Sequence, residues 1–166
     1  MTLIGYHGTN NIAYNGIRAK GFKTSSNGWF GKGAYFFYLD EDMAKKWAVK
    51  NFSGKNPIVI KAEITFEKDE LFDIRCPNSS DTKFFHNFRR DYKEILKNKG
   101  VGYTTKDAHD NDCNLLTLIC KLYNKKVVMG NSFSFVDNGP ASIVPNGTEL
   151  CITDNKIIKI TEKKSI

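Results

Sequence analysis

The sequence predicts an α+β domain built on a mixed or antiparallel β-sheet. Extended segments outnumber helical ones, and the two kinds do not alternate regularly, as they would around a parallel sheet. The chain has 166 residues, which is the length of one domain with a sizeable core, so residues 1–166 are assigned to a single unit. No internal repeat, linker or low-complexity tract divides it.

A strand and a helix are predicted to open the chain. Residues 2–6 have the short apolar pattern of a strand. Asn10 or Asn11 can cap the following helix, and Gly21 can end it. Phe22 begins a connection of Lys, Thr, Ser, Asn and Gly, which predicts a mobile loop over a site formed by the neighbouring elements.

The segment 28–47 combines glycines with aromatic residues, and the rest of the chain is organised around it. Its glycines permit tight turns and close backbone approach; they are Gly28, Gly31 and Gly33. Ala34–Tyr38 is predicted to be a strand, and residues 40–42 supply the acidic first turn of a helix that continues through Trp47. The spacing matches neither a P-loop nor a dinucleotide-binding fingerprint.

The second half of the chain is predicted to alternate irregularly between strands and helices. Residues 58–66 alternate apolar and polar side chains, as a strand does, and a helix is predicted over 112–124. The other predicted features are extended pieces at 67–74, 125–130, 132–136, 149–153 and 157–160, and a turn at Asn138-Gly139-Pro140. The last two strands are expected to form a hairpin through Asp154 and Asn155.

Residues 81–98 have the pattern of an amphipathic helix. Apolar residues at positions 84, 85, 88, 92, 95 and 96 have helical spacing and are expected to face the core. The opposite face carries Lys83, Arg89, Arg90, Lys93 and Lys97, with Lys99 just beyond, interrupted only by Asp91 and Glu94.

The net charge of +7 is unevenly placed. Residues 1–56 hold eight basic side chains against three acidic ones. Such an excess favours a diphosphate-containing ligand, or a polyanion such as RNA or DNA. Scattered lysines that merely solvate the surface are the alternative interpretation.

The cysteines and apolar segments indicate the compartment. Four cysteines without CxxC spacing suit a reducing environment, so a cytoplasmic location is expected. No apolar run approaches the roughly 20 residues needed to cross a bilayer, so no membrane partner is expected. His86 and His109 complete no zinc pattern with these cysteines, and no metal site is predicted.

Three features could carry chemistry. His7 ends the first strand and precedes a glycine that opens the backbone to a ligand. Tyr35 and Trp47 lie on successive elements and could hold a flat cationic ring between them. Glu149 begins an otherwise apolar strand, where a carboxylate needs a partner or a function. The ordinary alternatives are a structural histidine, two core aromatics and a carboxylate at an exposed strand edge.

Together these features resemble the poly(ADP-ribose) polymerase and diphtheria-toxin type of ADP-ribosyltransferase. The resemblance rests on Tyr6-His7-Gly8-Thr9, on Phe30-Gly31-Lys32-Gly33-Ala34-Tyr35-Phe36, and on a helix that carries Ala44 and Trp47. It is dense over residues 5–48, sparse over 146–160 and absent over 57–145. It implies a split sheet and a His-Tyr-Glu triad on three strands, which falls here on His7, Tyr35 and Glu149.

The resemblance implies NAD+ as substrate, with no metal. The backbone of Gly8 would bind the nicotinamide carboxamide, His7 a ribose hydroxyl, and the rings of Tyr35 and Trp47 the nicotinamide. Glu149 would bind the 2′-hydroxyl of the nicotinamide ribose and stabilise the oxocarbenium-like charge of the transition state. The implied NAD+-binding set also contains Thr9, Gly33 and Ala44.

Two positions depart from related patterns. Ala44 stands where the family often has a serine that bonds the nicotinamide amide. Gly147 stands two residues before Glu149, where the arginine-modifying toxins have Glu or Gln.

The function that the resemblance implies is mono-ADP-ribosyl transfer from NAD+ to a macromolecule, in a microbial or phage toxin or effector. The acceptor could be protein or nucleic acid. The alternatives are an NAD+ glycohydrolase, in which water is the acceptor, and a non-catalytic module that binds NAD+, ADP-ribose or nucleic acid. A carboxylate at position 149 counts against the non-catalytic module, since binding alone would not need it.

Overall fold

The computed structural model describes residues 1–100, 107–134, 136 and 144–166 of the chain. A seven-stranded mixed sheet forms its centre, and four α-helices pack around the sheet in the described residues. The predicted α+β class is therefore confirmed. The turn predicted at Asn138-Gly139-Pro140 lies outside the described residues.

The elements follow the predicted order with one correction: a single strand at 127–132 replaces the two extended pieces predicted at 125–130 and 132–136, because the described residues beyond Ser132 leave the sheet. The strands are β1 Thr2–Asn10, β2 Ala34–Tyr38, β3 Pro57–Thr65, β4 Leu71–Asp73, β5 Val127–Ser132, β6 Gly147–Ile152 and β7 Ile158–Ser165; the helices are α1 Asn11–Lys20, α2 Glu41–Phe52, α3 Ser80–Asn98 and α4 Ala108–Leu122. The order across the sheet is β4-β5-β6-β2-β1-β3-β7. Only β4 and β5 run parallel to each other, and the other neighbouring strands are antiparallel.

Local sequence signals set the helix starts near the site. The Asn10 side chain caps α1 by accepting a hydrogen bond of 2.8 Å from the Ala13 amide. The Asp40 side chain caps α2 in the same way, 2.8 Å from the Met43 amide. Gly21 ends α1 with a φ of 81°, a value that glycine adopts without strain.

The sheet opens between its two central strands. β1 and β2 pair at only two positions, Gly5 with Tyr38 and Tyr6 with Phe37, whereas β1 and β3 pair along nine. Beyond Tyr6 the gap between the strands is bridged by the His7 ring, whose Nδ1 lies 2.8 Å from the Tyr35 carbonyl oxygen. We call this opening the sheet split.

Both faces of the sheet are covered by helices. On one face, Ile17 of α1 joins a core with buried residues such as Phe36, Ile60 and Leu150. On the other, α3 and α4 cover a cluster that includes Phe72, Leu116 and Ile119, while α2 packs on Phe37 and Val59. Alternate residues of β5 divide between the two faces, as a period of two requires: Val127 and Met129 point to one and Val128 to the other.

The predicted hairpin of the last two strands is wrong. β6 lies between β2 and β5 and has no free edge, so β7 instead pairs with β3 at the far side of the sheet. The connection is anchored by Asn155, whose side chain accepts from the Phe22 amide at 3.1 Å and donates to the Phe22 carbonyl at 2.9 Å. The pairing of β7 with β3 joins residues about a hundred positions apart, so the sequence of the turn before β7 does not predict it.

The prediction for α3 is only partly correct. Thr82 and Phe85 are its buried residues, whereas Phe84 is 37% exposed and Ile95 is 51% exposed. The first half of the helix packs on the sheet, and no residue in its second half is fully buried.

The cysteines are all free thiols in the structure. Cys113, Cys120 and Cys151 are buried, and Cys76 is exposed.

Candidate active site in the sheet split

A pocket of about 450 Å³ lies at the sheet split. Its lining comes from six separate segments, and the residues most important for the chemistry are His7, Trp29, Tyr35, Phe37, Trp47 and Glu149. Every member of the predicted His-Tyr-Glu triad lines it. Three strands and one helix meet here because β1 and β2 separate after Tyr6.

The His7 ring is fixed as a neutral hydrogen-bond acceptor toward the pocket. Burial lowers its pKa, opposed by the bond to Tyr35. A carbonyl oxygen can only accept, so Nδ1 donates to the Tyr35 carbonyl at 2.8 Å, and Nε2 is left with a lone pair. The ring also packs edge-on against Phe22, with centroids 5.2 Å apart. His7 is therefore held to accept a hydrogen bond from a ligand hydroxyl.

The Tyr35 hydroxyl serves the loop rather than the ligand. It donates to the Gly31 carbonyl at 2.7 Å and accepts from the Phe30 amide at 2.8 Å. Burial is the main cause that raises its pKa, so the phenol stays protonated. A Cβ on Gly28 would lie 2.0 Å from this hydroxyl, so only glycine fits there. Tyr35 offers the pocket its ring and holds the glycine-rich loop in place.

Two tryptophans stand at the pocket. Trp47 on α2 is 39% exposed and packs edge-on against Phe37 at 6.4 Å between centroids. Trp29, on the glycine-rich loop, is 54% exposed. The alternative that Trp47 is an ordinary core aromatic does not describe this half-exposed ring. Trp29 was not among the predicted site residues.

Glu149 carries the carboxylate of the pocket. Burial raises its pKa, and the hydroxyls of Ser132 and Ser134 oppose that rise. Ser134 does so through a formed hydrogen bond of 3.0 Å to Oε1. The Ser132 hydroxyl is buried without a partner at hydrogen-bonding geometry, so it lowers the pKa of Glu149 as a nearby dipole. The alternative of an exposed edge carboxylate does not apply, because β6 is paired on both sides.

Asn146 holds the two chain segments behind Glu149 together. Its side-chain oxygen accepts from the Ser134 amide at 2.8 Å, and its side-chain nitrogen donates to the Ser134 carbonyl at 2.8 Å. Its own amide donates to the Ser132 carbonyl at 3.1 Å. Neither Ser134 nor Asn146 was predicted from the sequence. The sequence could have indicated them, because Ser134 is a polar residue just after β5 and Asn146 is a polar residue just before β6.

Three predicted residues lie outside the pocket lining. Thr9 is buried next to Gly8 and is not part of the lining. Gly33 packs against β6, where a Cβ would lie 2.6 Å from the Cys151 sulfur. Ala44 is fully buried behind Gly8, and a Cβ on Gly8 would lie 2.2 Å from its carbonyl oxygen. These residues shape the walls of the pocket through packing.

Among the described residues, one group has the composition of a metal site. Ligand atoms of Asp107, His109 and Asp110 lie within 4.8 Å of one another at the start of α4. The Asp107 carboxylate already caps the helix, accepting from the amides of His109 and Asp110 at 2.8 and 3.1 Å. That capping role accounts for its position without an ion.

No model of a known protein family matches the chain, and no curated protein is significantly similar to it. Among the helices of the described residues, none combines the length and the apolar character that crossing a bilayer requires.

Proposed function

We propose that the chain is an NAD+-dependent ADP-ribosyltransferase that releases nicotinamide and passes ADP-ribose to a macromolecular acceptor. One observation carries the proposal: the sheet split gathers His7, Tyr35 and Glu149 from three strands, with Trp47, around one pocket of about 450 Å³. That volume falls within the range of small-molecule and cofactor sites. The family resemblance suggested the same residues from the sequence: His7, Tyr35 and Trp47 from its dense part over 5–48, and Glu149 from its sparse part over 146–160.

The pocket residues suit the parts of NAD+. The rings of Tyr35 and Trp47 would contact the nicotinamide, whose positive charge adds cation–π attraction to stacking. His7 would accept a hydrogen bond from a ribose hydroxyl through Nε2. The Gly8 backbone would bind the carboxamide, and the missing Cβ of Gly8 lets helix α2 pack directly against that backbone. Ala44 offers no hydroxyl, so the carboxamide would rely on backbone groups.

Glu149 would act on the bond that breaks. Its carboxylate would accept a hydrogen bond from the 2′-hydroxyl of the nicotinamide ribose and face the positive charge that develops at the anomeric carbon. As the bond from that carbon to the nicotinamide nitrogen breaks, its electron pair leaves with neutral nicotinamide. An acceptor lone pair then forms the new bond, and the acceptor loses its proton to solvent. Stabilising a charge that appears only in the transition state raises the rate.

The test uses NAD+ labelled in its adenylate, incubated with the purified protein and a whole-cell lysate. Label bound to macromolecules is then treated with protease or with nuclease, and the treatment that releases it identifies the acceptor class. Free labelled ADP-ribose without bound label would indicate a glycohydrolase. Intact NAD+ throughout would overturn the proposal and leave a binding module.

Replacing Trp47 with alanine is expected to weaken NAD+ binding by about 1–2 kcal/mol, because stacking and cation–π contacts are lost. Trp47→Phe should recover most of the affinity. The measurement is calorimetric titration, with quenching of tryptophan fluorescence as a second readout, since both tryptophans of the chain line the pocket. Normal NAD+ binding by Trp47→Ala together with a sharp fall in melting temperature would instead indicate a core role.

Removing the Ser134 hydroxyl is expected to shift the pH profile of nicotinamide release. The hydrogen bond from Ser134 lowers the pKa of Glu149 against the effect of burial, so Ser134→Ala should raise that pKa. Catalysis needs the ionised carboxylate, and the acidic limb of the profile should therefore move to higher pH. Ser134→Thr keeps the hydroxyl and is the matched control. An unmoved acidic limb in Ser134→Ala would contradict the assignment.

A further inference from the structure

Helix α3 carries a stripe of basic side chains along its exposed side. Lys83, His86, Arg90, Lys93 and Lys97 recur at alternating intervals of three and four residues, which places them on one face of a helix. All five are exposed. With a rise of 1.5 Å per residue, the stripe is about 21 Å long. We call these five residues the basic stripe.

The charge of the basic stripe is little neutralised by neighbouring acids. Among the described residues, the ion pair recorded for it joins Arg90 to Asp91 at 3.2 Å, with both side chains about two-thirds exposed (68% and 65%). A pair so exposed contributes little and breaks readily when a stronger anion approaches. A row of exposed cations is the usual footprint of a phosphate backbone.

The basic stripe leads to the mouth of the pocket. Phe85, the residue before His86, packs in one buried cluster with Leu115 and Leu116 of α4, so the two helices lie side by side. Burial raises the pKa of Asp112 on α4, and the nearby Arg89, His86 and His109 oppose that rise. The His109 ring in turn packs against the Trp29 ring, with centroids 4.3 Å apart. Trp29 lines the pocket and is 54% exposed. The basic stripe and the exposed Trp29 ring are therefore linked through α4, and Trp29 and Glu149 line the same pocket.

We propose that the acceptor is single-stranded nucleic acid, with its phosphates along the basic stripe and an unpaired base stacked on Trp29. The inference rests on the proposed function, because it names the acceptor of the same site. Aromatic platforms beside cationic grooves are the usual means of holding single strands. In a duplex the bases stack on each other, so Trp29 would have no free base face to contact.

The geometry also suits the transfer step. A nucleophile on the bound strand, such as a base nitrogen, a hydroxyl or a terminal phosphate oxygen, would reach the anomeric carbon from the pocket mouth. Its lone pair forms the new bond as nicotinamide leaves with the electrons of the old one. A protic nucleophile releases its proton to solvent.

The test measures binding of fluorescently labelled single-stranded RNA and DNA oligonucleotides to the full chain, without NAD+, over a series of salt concentrations. Arg90→Ala with Lys93→Ala should weaken binding and reduce the log–log salt slope by about 1.4, since each phosphate contact on a single strand contributes about 0.7. Trp29→Ala should weaken binding by roughly fivefold or more, and Trp29→Phe should keep most of it.

The matched control removes two charges from the opposite face of the sheet. Arg18 and Lys20 are exposed on α1, which packs on the other core, so Arg18→Ala with Lys20→Ala should leave affinity and slope unchanged. Equal losses in both double variants, an unchanged slope in the Arg90/Lys93 variant, or duplex bound as tightly as single strands would overturn the inference. So would ADP-ribose found only on protein.

Nicotinamide release by the unaltered chain is measured separately. NAD+ cleavage without the expected oligonucleotide binding would refute this acceptor and leave the proposed function standing. Oligonucleotide binding without any NAD+ cleavage would refute the proposed function instead.

Discussion

Glu149→Ala is expected to reduce single-turnover nicotinamide release by roughly 10²–10³-fold, while NAD+ affinity changes by only a few-fold. The carboxylate is assigned to charge that develops late in the reaction, and removing such a group costs about 2–4 kcal/mol of barrier. Release is followed by rapid quench and affinity by titration calorimetry. Full activity in the variant would remove Glu149 from the mechanism.

Glu149→Gln provides a control with a stability readout. Burial raises the pKa of Glu149, so the fold favours its protonated form. The stabilisation from that form is complete below the ordinary carboxyl pKa and is lost as pH rises through the raised value. At neutral pH the ionised carboxylate therefore costs stability, and neutral glutamine should raise the melting temperature while nicotinamide release falls. A variant that loses both activity and stability would indicate a structural carboxylate.

Gly8→Ala is expected to destabilise the fold by about 1–3 kcal/mol, in the range of overpacked sites. The new Cβ would lie 2.2 Å from the Ala44 carbonyl oxygen and 3.0 Å from the Ala48 nitrogen. Both are backbone atoms of α2, so relief requires the helix to move, and Trp47 moves with it. NAD+ binding should weaken in parallel. Chemical denaturation and calorimetric titration measure the two effects.

Gly16→Ala is the matched control for that substitution. Gly16 lies within α1, and a Cβ there would meet nothing within 4 Å. Alanine is the better helix former, so the change should stabilise the protein by about 0.5–1 kcal/mol. If Gly8→Ala behaves as Gly16→Ala does, then the close contact between β1 and α2 does not hold the site together.

Local signals predicted the part of the site that is contiguous in sequence. Ala34–Tyr38 is the strand that was expected, and Asp40 caps the next helix as an acidic first turn suggests. The order of the strands could not be predicted, because pairing joins residues far apart in the chain. The predicted hairpin through Asp154 and Asn155 is wrong for that reason. β6 pairs with β2 on one side and β5 on the other, so neither of its edges is open to β7.

The supporting residues of the site escaped prediction for a related reason. Ser134 contacts Glu149 across fifteen residues, and Asn146 joins strand ends that only the folded sheet brings together. Nothing in the sequence distinguishes Trp29 from the other aromatic residues of the glycine-rich segment. Its position at the pocket depends on its contact with His109 of α4, which only the folded chain brings close. Thr9 and Ala44 belong to matching motifs, yet both are buried and neither lines the pocket, which only the folded structure could show.

The central claim is that this pocket cleaves NAD+ at the bond to nicotinamide. Its most direct test is a single-turnover reaction with excess protein and two NAD+ preparations, one labelled in the nicotinamide ring and the other in the adenylate, with Glu149→Gln as the matched control. The account predicts that the nicotinamide label is freed as nicotinamide while the adenylate label appears in ADP-ribose or on an acceptor. Recovery of both labels in intact NAD+, or equal release by the Glu149→Gln variant, would contradict it.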